Sequence, residues 1–247
     1  EGLMTERPFR SPHHTVSANA LTGGGRKVRP GEISLATGGI LFLDELPEFS
    51  KNALEVLRQP MEEGRVVISR TDGTYEFPAE FQLVAAMNPC KCGYYPDRSK
   101  CHCLPGEVAK YVKRISRPLL DRIDICVEIP RVEYRDLTSE EENESSAKMR
   151  KRVEQARQIQ EKRYEKAGWK FNSRLGTAAI REFCPLGTDE QKLMELAFER
   201  MNLSARGYHR VIKVARTIAD LAGEETIREP HLLEALGYRS AYQKFWE

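Results

Sequence analysis

The chain has 247 residues, 31% of them charged, and its 39 Lys and Arg side chains nearly balance its 37 Asp and Glu side chains. This length fits one large domain or two small ones, and the balanced charge argues neither for nor against nucleic acid as a partner. No apolar run approaches the roughly 20 residues of a membrane span, and residues 1–4 lack the apolar segment of a signal peptide. We therefore expect a cytoplasmic protein without a membrane partner.

The N-terminal residues 1–37 are rich in Gly, Pro, Arg and His, and two early prolines exclude a regular helix at the start. His13 and His14 lack the i, i+4 spacing and the nearby carboxylate of a metal site, so we interpret them as polar loop residues. The glycine-rich stretch Leu21–Lys27 is not a Walker A loop, because Gly-Lys-Ser/Thr does not follow four variable residues after a glycine. A mobile substrate-contacting loop and a plain surface loop both fit it.

The stretch Gly38–Glu45 is the reference point from which the other elements are interpreted, because it combines an apolar run with two acidic residues. Four consecutive apolar residues, Ile40–Leu43, predict a strand that is buried on both faces, as in a parallel sheet. Asp44 and Glu45 follow at the C-terminal end of this strand, where open α/β sheets place their ligands. The same pattern would result from a core strand that ends in two solvated acids, so the neighbouring elements decide between the two interpretations.

The next elements form an ordered series. Ser50 is a good N-cap for an amphipathic helix that is predicted to stop near Pro60. Gly64–Phe77 then predicts a β-hairpin, because its two strand-like runs flank an Asp-Gly turn. Phe81–Met87 predicts a second buried strand. This strand ends at Asn88, whose amide fits the binding of a phosphate or water as well as a plain strand cap.

The C-terminal part is predicted to be mostly helical. Arg117–Arg122 predicts a short amphipathic helix or turn, and Ile123–Ile129 an apolar strand closed by proline. A charged linker follows over residues 136–150. Five helices are then predicted, over Met149–Lys166, Thr177–Phe183, Asp189–Met201, Tyr208–Ala222 and Pro230–Leu236. A single buried face on the third of them is predicted from Leu193, Leu196, Ala197 and Met201.

Four of the six cysteines are crowded into a short segment, which favours a local site over a disulfide framework. They are Cys90, Cys92, Cys101 and Cys103. Four thiolates would close a tetrahedral Zn²⁺ site, and such a site is structural because it leaves no open coordination position. The Cys-x-Cys spacing is tighter than the usual Cys-x₂-Cys of zinc ribbons, so free thiols and a redox disulfide stay open as alternatives.

The order of these elements resembles the AAA+ ATPases, within the hairpin-bearing clade of magnesium chelatase and the MCM helicases, and specifically the magnesium chelatase-like family of ComM and YifB. The matching stretches are Arg7–Ser17, Gly31–Phe49, Val67–Pro78, Ala86–Cys90, Pro118–Ile125 and Ser204–Gly223. The resemblance implies an α/β fold over residues 1–135, a partial AAA+ core with a mostly parallel sheet and a β-hairpin insertion. It implies an all-α lid domain over residues 136–247.

The resemblance also implies roles for individual residues. Asp44 and Glu45 would be the Walker B motif, with Asp44 holding Mg²⁺ and Glu45 orienting the water that attacks the γ-phosphate of ATP. Asn88 would be sensor 1, near the same water. Arg122 would be the arginine finger, which acts on the nucleotide of the neighbouring subunit, and Arg117 is the reserve candidate.

The resemblance also implies roles for residues in the lid, in the hairpin and in one loop. Arg206 would be sensor 2, which contacts the γ-phosphate, and Arg210, one turn further along the helix, is the alternative. Both arginines could instead form salt bridges on the lid surface. The hairpin Val66–Phe77 and the loop Leu21–Arg26 would face the pore of a ring. The Walker A loop is expected upstream of Arg7, so the chain is expected to be a C-terminal fragment that is inactive alone.

Three functions follow from these observations. The first is an ATP-hydrolysing hexameric ring motor that uses ATP and Mg²⁺ and acts on DNA, in branch migration or recombination. The second is a chelatase-like or chaperone-like ATPase that remodels a protein partner. The third is a non-enzymatic, zinc-stabilised interaction module, which applies if the fragment is the whole natural protein.

Overall fold

The computed structural model describes residues 6–130 and 144–246. The chain divides into two compact units, one formed by residues up to Ile123 together with the last residues from Phe245, the other by Asp124–Lys244. The first unit is α/β, and the described residues of the second form helices and loops, which confirms the predicted fold class. The predicted boundary between residues 135 and 136, and the linker residues 136–143, lie outside the described residues.

A parallel sheet forms the centre of the first unit. The strands of this unit, numbered β1 to β7, are Phe9–Arg10, Gly23–Gly24, Arg29–Pro30, Ile40–Leu43, Arg65–Arg70, Gly73–Pro78 and Gln82–Ala85. The sheet has the order β1-β4-β7, with both neighbours parallel to β4. Leu41 and Leu43 of β4 are fully buried, whereas Ile40 and Phe42 are half-buried, so one face is more completely covered than the other.

The residue before β4 is Gly39, and it lies where the backbone closely approaches Pro8, the residue before β1. The Ile40 N–H donates to the Pro8 carbonyl at 2.9 Å, and a Cβ built on Gly39 would lie 1.9 Å from that same oxygen. A larger residue at position 39 would therefore separate β1 from β4. The requirement is steric, since glycine allows the backbones to approach each other.

The predicted hairpin is confirmed, with a small shift at its turn. Strands β5 and β6 pair antiparallel from Arg65 opposite Pro78 to Arg70 opposite Gly73. Thr71 and Asp72 therefore form the two-residue loop, and Gly73, predicted as part of the turn, is the first residue of β6.

Helices surround the sheet and the hairpin. Those of the first unit are Ala18–Thr22, Glu32–Leu35, Lys51–Glu55, Arg58–Glu63, Pro105–Val112 and Arg117–Leu120. The Ser50 side chain caps its helix as predicted, accepting from the Ala53 N–H at 3.2 Å. The predicted stop near Pro60 is wrong: the first helix ends at Glu55, and Pro60 lies in the first turn of the next helix, where a missing N–H costs little.

Two other predictions about strands are corrected. β7 is a strand, but it is not fully buried: it is an edge of the three-stranded sheet, and Val84 is 36% exposed. Residues 123–130 form neither a strand nor a helix. A strand needs a paired neighbour, and here the Cys126 N–H instead donates to the Tyr238 carbonyl at 2.9 Å.

The second unit has a separate hydrophobic core. Its helices are Ser146–Tyr164, Thr177–Phe183, Thr188–Arg200, Ala205–Ala222 and Glu229–Trp246, the last of which is longer than predicted and runs past the unit's end at Lys244. Buried apolar residues from all five helices form one cluster. Leu196, predicted as buried, is 45% exposed, while its neighbour Met194 is fully buried. The buried face of this helix therefore differs from the predicted one, and Ala197 belongs to both faces.

A buried polar network joins the helices of the second unit. Asp220 is 2% exposed, and its carboxylate accepts hydrogen bonds from Arg163, Arg216 and Asn172. Buried charge requires this kind of pairing, because an unpaired carboxylate would lose its hydration without compensation. Among the described residues, no helix has both the length and the apolar character needed to cross a bilayer.

Candidate functional site

Asp44 and Glu45 lie where β4 ends, and both side chains are exposed. The backbone turns sharply there, since Glu45 has φ of 52° and ψ of 45°, in the left-handed region that non-glycine residues rarely adopt. The Asp44 carboxylate accepts from the Glu45 N–H at 2.8 Å. Non-glycine residues in this conformation are strained, and they occur most often at active sites and ligand-binding sites.

Asn88 follows the neighbouring strand on the same edge of the sheet. β4 and β7 are in register from Ile40 opposite Gln82 to Leu43 opposite Ala85. The ladder continues beyond the strands: the Ala86 N–H donates to Leu43 and the Leu46 N–H donates to Ala86, each at 3.0 Å. The chain segments that carry Asp44, Glu45 and Asn88 therefore leave adjacent parallel strands together, and the Asn88 side chain is exposed.

His14 contacts the exposed carboxylate of Glu45. Its Nδ1 lies 3.1 Å from Oε2 of Glu45, and its ring packs against that of His13 with centroids 4.0 Å apart. His14 is thus a polar loop residue, as interpreted from the sequence, but one that touches a predicted functional side chain. Sequence reasoning does not find this contact, because nothing in the local pattern links the two distant residues.

The two arginines predicted as trans-acting have different surroundings. Arg122 is 9% exposed, forms an ion pair with Glu62 and donates to the Pro118 carbonyl at 2.7 Å. Arg117 begins the short helix Arg117–Leu120 and is exposed. The role of either arginine in a neighbouring subunit stays a prediction.

Arg206 and Arg210 lie in the first turns of the helix Ala205–Ala222. The Ser204 hydroxyl caps this helix by accepting from the Gly207 N–H at 3.0 Å. Arg206 is exposed, whereas Arg210 is half-buried and forms an ion pair with Asp124. The sensor 2 role of either residue stays a prediction.

The four clustered cysteines come together in space. Their sulfur atoms all lie within 4.8 Å of one another, and no disulfide joins them. Cys90 and Cys101 are buried, while Cys92 is exposed and Cys103 is half-buried. A hydrogen bond from the Tyr94 backbone lowers the pKa of the Cys92 thiol to about 6, and burial raises the pKa of Cys101 to about 11.

The glycine-rich loop is more ordered than its composition predicts. Gly23–Gly24 pairs antiparallel with Arg29–Pro30, so the stretch Leu21–Lys27 contains the end of the helix Ala18–Thr22, one strand of a small hairpin and part of its turn. A Cβ built on Gly31 would lie 2.3 Å from the Leu21 carbonyl oxygen, which shows how closely the two sides approach.

Comparison with known proteins identifies relatives for both units. The family model for the magnesium chelatase subunit ChlI matches residues 1–137, and the model for the C-terminal part of that subunit matches residues 143–239. The competence protein ComM of Haemophilus influenzae is 48% identical over 236 residues, which cover 95% of this chain and 45% of ComM. The uncharacterized protein YifB of Escherichia coli is 44% identical, covering 95% of this chain and 46% of YifB.

More distant similarity extends to a chelatase subunit. The magnesium-chelatase 38 kDa subunit of Acidiphilium rubrum is 24% identical over 225 residues, which cover 86% of this chain and 55% of the subunit. The chain spans about half the length of these relatives. The two family models together match most of the chain, which confirms the predicted resemblance, and the chain belongs to the magnesium chelatase family of subunit ChlI.

Proposed function

We propose that this chain is part of an ATP-hydrolysing ring motor that works on DNA in the cytoplasm. One observation carries the proposal: two exposed carboxylates and an exposed amide leave adjacent strands at the same edge of a parallel sheet. Open α/β sheets bind ligands at this edge. The three side chains, Asp44, Glu45 and Asn88, have the chemistry that hydrolysis of a phosphoanhydride needs.

The donor set fits Mg²⁺ and ATP. Mg²⁺ prefers one or two carboxylates together with phosphate oxygens and water, and Asp44 offers such a carboxylate at the surface. When bound, the ion neutralises charge on the phosphates. Glu45 would orient a water molecule for attack, and the Asn88 amide would hold that water or a γ-phosphate oxygen. Zn²⁺ at the four-cysteine cluster completes the proposed set of cofactors.

A hexameric ring would let an arginine act on a neighbour's nucleotide. An arginine finger must be accessible, because it stabilises transition-state charge in another subunit. Of the two candidates, Arg117 is exposed, whereas Arg122 is buried against Glu62 within its own chain. We therefore favour Arg117 for this role and assign Arg122 to the support of the helix beside it.

The lid would contribute a second arginine. Arg206 is exposed in the first turn of its helix, while Arg210 is engaged by Asp124 in the same unit. An arginine that contacts a γ-phosphate must exchange its partners on binding. We favour Arg206 as sensor 2, because its side chain is exposed, whereas that of Arg210 is half-buried.

Charge and similarity both favour DNA as the substrate. Residues 91–117 carry seven Lys and Arg side chains, all exposed, and two acidic side chains. Such a basic surface suits phosphate contacts, which dominate affinity for nucleic acid. Arg70 adds an exposed positive charge beside the turn of the β5–β6 hairpin. The Haemophilus influenzae relative carries the name competence protein, which supports the same choice.

A protein substrate is the second candidate. It is favoured by the 24% identity to a protein named as a magnesium-chelatase subunit. The two candidates differ in what stimulates ATP turnover. For the full-length protein, we expect branched DNA to raise the rate of ATP hydrolysis, with the stimulation weakening as salt increases because phosphate contacts are screened. Turnover that is insensitive to DNA would exclude the DNA motor and leave protein remodelling.

A further inference from the structure

We propose that a Zn²⁺ ion bound by Cys90, Cys92, Cys101 and Cys103 holds Asn88 in position for ATP hydrolysis. The structural metal site is inferred from the arrangement of the four sulfurs. Its coupling to the side chain that follows β7 rests on the proposed function of Asn88.

The sulfur geometry fits tetrahedral coordination. A Zn–S bond of about 2.3 Å in a tetrahedron places neighbouring sulfurs about 3.8 Å apart. In the structure Cys90 and Cys92 are separated by 3.4 Å, Cys92 and Cys101 by 3.6 Å, and Cys90 and Cys101 by 3.8 Å, measured between Sγ atoms. The Cys103 sulfur lies within 4.8 Å of all three. The side chains therefore need little movement to surround one ion.

The backbone around the sulfurs also suits bound thiolates. The Tyr95 N–H donates to the Cys90 sulfur at 3.4 Å, so a backbone donor already points at one of the four proposed ligands. The Cys90 thiol is 1% exposed and the Cys101 thiol is 5% exposed. Four protein sulfurs leave no position for substrate, so the site is structural.

The segment that carries the four cysteines has little regular structure of its own, so a bound metal ion would stabilise it. Residues 86–104 form neither a helix nor a strand, which is long for an ordered connection inside a compact unit. Among the described residues, the apolar cluster around the cysteines is small, and Tyr95 and Val108 are its members besides the cysteines themselves. An ion that binds the folded form stabilises it by the binding free energy, which is how small metal-bound loops stay ordered.

The metal site and Asn88 are mechanically linked through both the sequence and a contact. Pro89 alone separates Asn88 from Cys90, and its ring limits the rotation of the backbone between them. On the other side, the Gly93 N–H donates to the Cys90 carbonyl at 3.0 Å, and Gly93 has φ of 76°. A Cβ built on Gly93 would lie 3.8 Å from the Asn88 amide. The turn that includes two metal ligands therefore lies directly against the Asn88 side chain.

The test uses the full-length protein, purified under reducing conditions. We expect about one Zn²⁺ per chain, lost in the double variant Cys92→Ser and Cys103→Ser but kept in the control Cys126→Ser, which alters a cysteine outside the cluster. Hydrogen exchange across residues 86–104 should accelerate in the double variant. The turnover number for ATP should fall about tenfold to a hundredfold, since small misplacements of catalytic groups have effects of that size, while the KM for ATP stays nearly constant.

A conservative variant separates positioning from folding. Cys103→His keeps a metal ligand, so it should retain Zn²⁺, slow exchange and most of the turnover, in contrast to Cys103→Ser. Absence of metal, with four titratable thiols or with a disulfide, would overturn the site. Loss of metal without any change in turnover number would overturn the coupling to Asn88. A protein that binds Zn²⁺ but never hydrolyses ATP would instead contradict the proposed function and leave the metal site standing.

Discussion

The imidazole of His14 lies 3.1 Å from the carboxylate of Glu45, the residue proposed to orient the attacking water. A carboxylate that already accepts from an imidazole is a weaker acceptor for water, so we expect this contact to restrain Glu45 in its proposed role. The pairing is half-exposed, with the His14 side chain 29% and the Glu45 side chain 58% accessible.

The first prediction concerns this restraint. His14→Ala in the full-length protein should raise the rate of ATP hydrolysis in the absence of DNA and leave the KM for ATP unchanged, because His14 touches the carboxylate and not a phosphate. The matched control is His13→Ala, whose ring bonds to Thr15 and not to Glu45. Equal rates in both variants, or loss of turnover in a folded His14→Ala protein, would exclude the restraint.

The second prediction separates the two arginines near the end of the first unit. Arg122→Ala should lower the free energy of unfolding by about 1–3 kcal/mol, because it removes a buried guanidinium that pairs with Glu62 and donates to the Pro118 carbonyl. Arg117→Ala should lower stability less than Arg122→Ala does, because Arg117 is exposed, and it should abolish turnover. Chemical denaturation and an ATPase assay measure the two effects.

Mixed rings test the trans action of Arg117 directly. Subunits with Arg117→Ala and subunits with Glu45→Gln should each be inactive, but their mixture should regain turnover. In a mixed ring, an intact Glu45 in one subunit meets an intact Arg117 from its neighbour. If the mixture forms rings but does not recover activity, a residue other than Arg117 is the arginine finger.

The third prediction concerns the support of the helix that carries Arg117. The Ser116 hydroxyl donates to Glu55 at 2.5 Å, and this bond, with Arg58 adding to it, lowers the pKa of the Glu55 carboxyl. A lowered folded-state pKa means that the pair stabilises the fold above the unfolded pKa of Glu55 and loses this effect as pH falls through the folded pKa. Ser116→Ala should therefore cost on the order of 1 kcal/mol at neutral pH and less in acid. Ser116→Thr keeps the hydroxyl and is the control; a cost that is independent of pH would contradict the assignment.

The fourth prediction concerns the buried network of the second unit. Asp220→Asn removes a charge that Arg163 and Arg216 share in the interior, so it should lower the free energy of unfolding by about 3–5 kcal/mol. Asp189→Asn is the control, because Asp189 is highly exposed and pairs only at the surface with Lys192. Urea unfolding that follows the helical signal measures both. Similar stabilities of the two variants would mean that the network contributes little.

Much of the fold was predictable because local signals and tertiary packing agree. The apolar run Ile40–Leu43, the hairpin and the helix Thr177–Phe183 are found where the sequence predicts them. Predictions failed where the partner of a segment decides its conformation. Residues 123–129 have the apolar composition of a strand, yet composition does not supply the neighbour with which a strand must pair. Leu196 and Met194 are both apolar, and the surrounding helices determine which of them is buried.

Local signals were present for one element that was not predicted. The helix Pro105–Val112 begins with proline, and its Glu107 carboxylate accepts from the Leu104 N–H at 2.9 Å, a common pattern at helix starts. The contact between His14 and Glu45 has no such signal. It depends on the β1–β4 pairing, which places the loop after β1 beside the end of β4, and a sequence pattern does not show that arrangement.

Glu45 is proposed to activate water for ATP hydrolysis, and the variant Glu45→Gln in the full-length protein tests this role. The amide keeps the size of the side chain but loses the charge that orients the water, whereas affinity depends on contacts with phosphate and Mg²⁺. We predict that steady-state turnover is abolished, while the affinity for Mg-ATP, measured by calorimetric titration, stays nearly that of the unaltered protein. Turnover that survives the change, or affinity that falls as far as the rate does, would contradict the account.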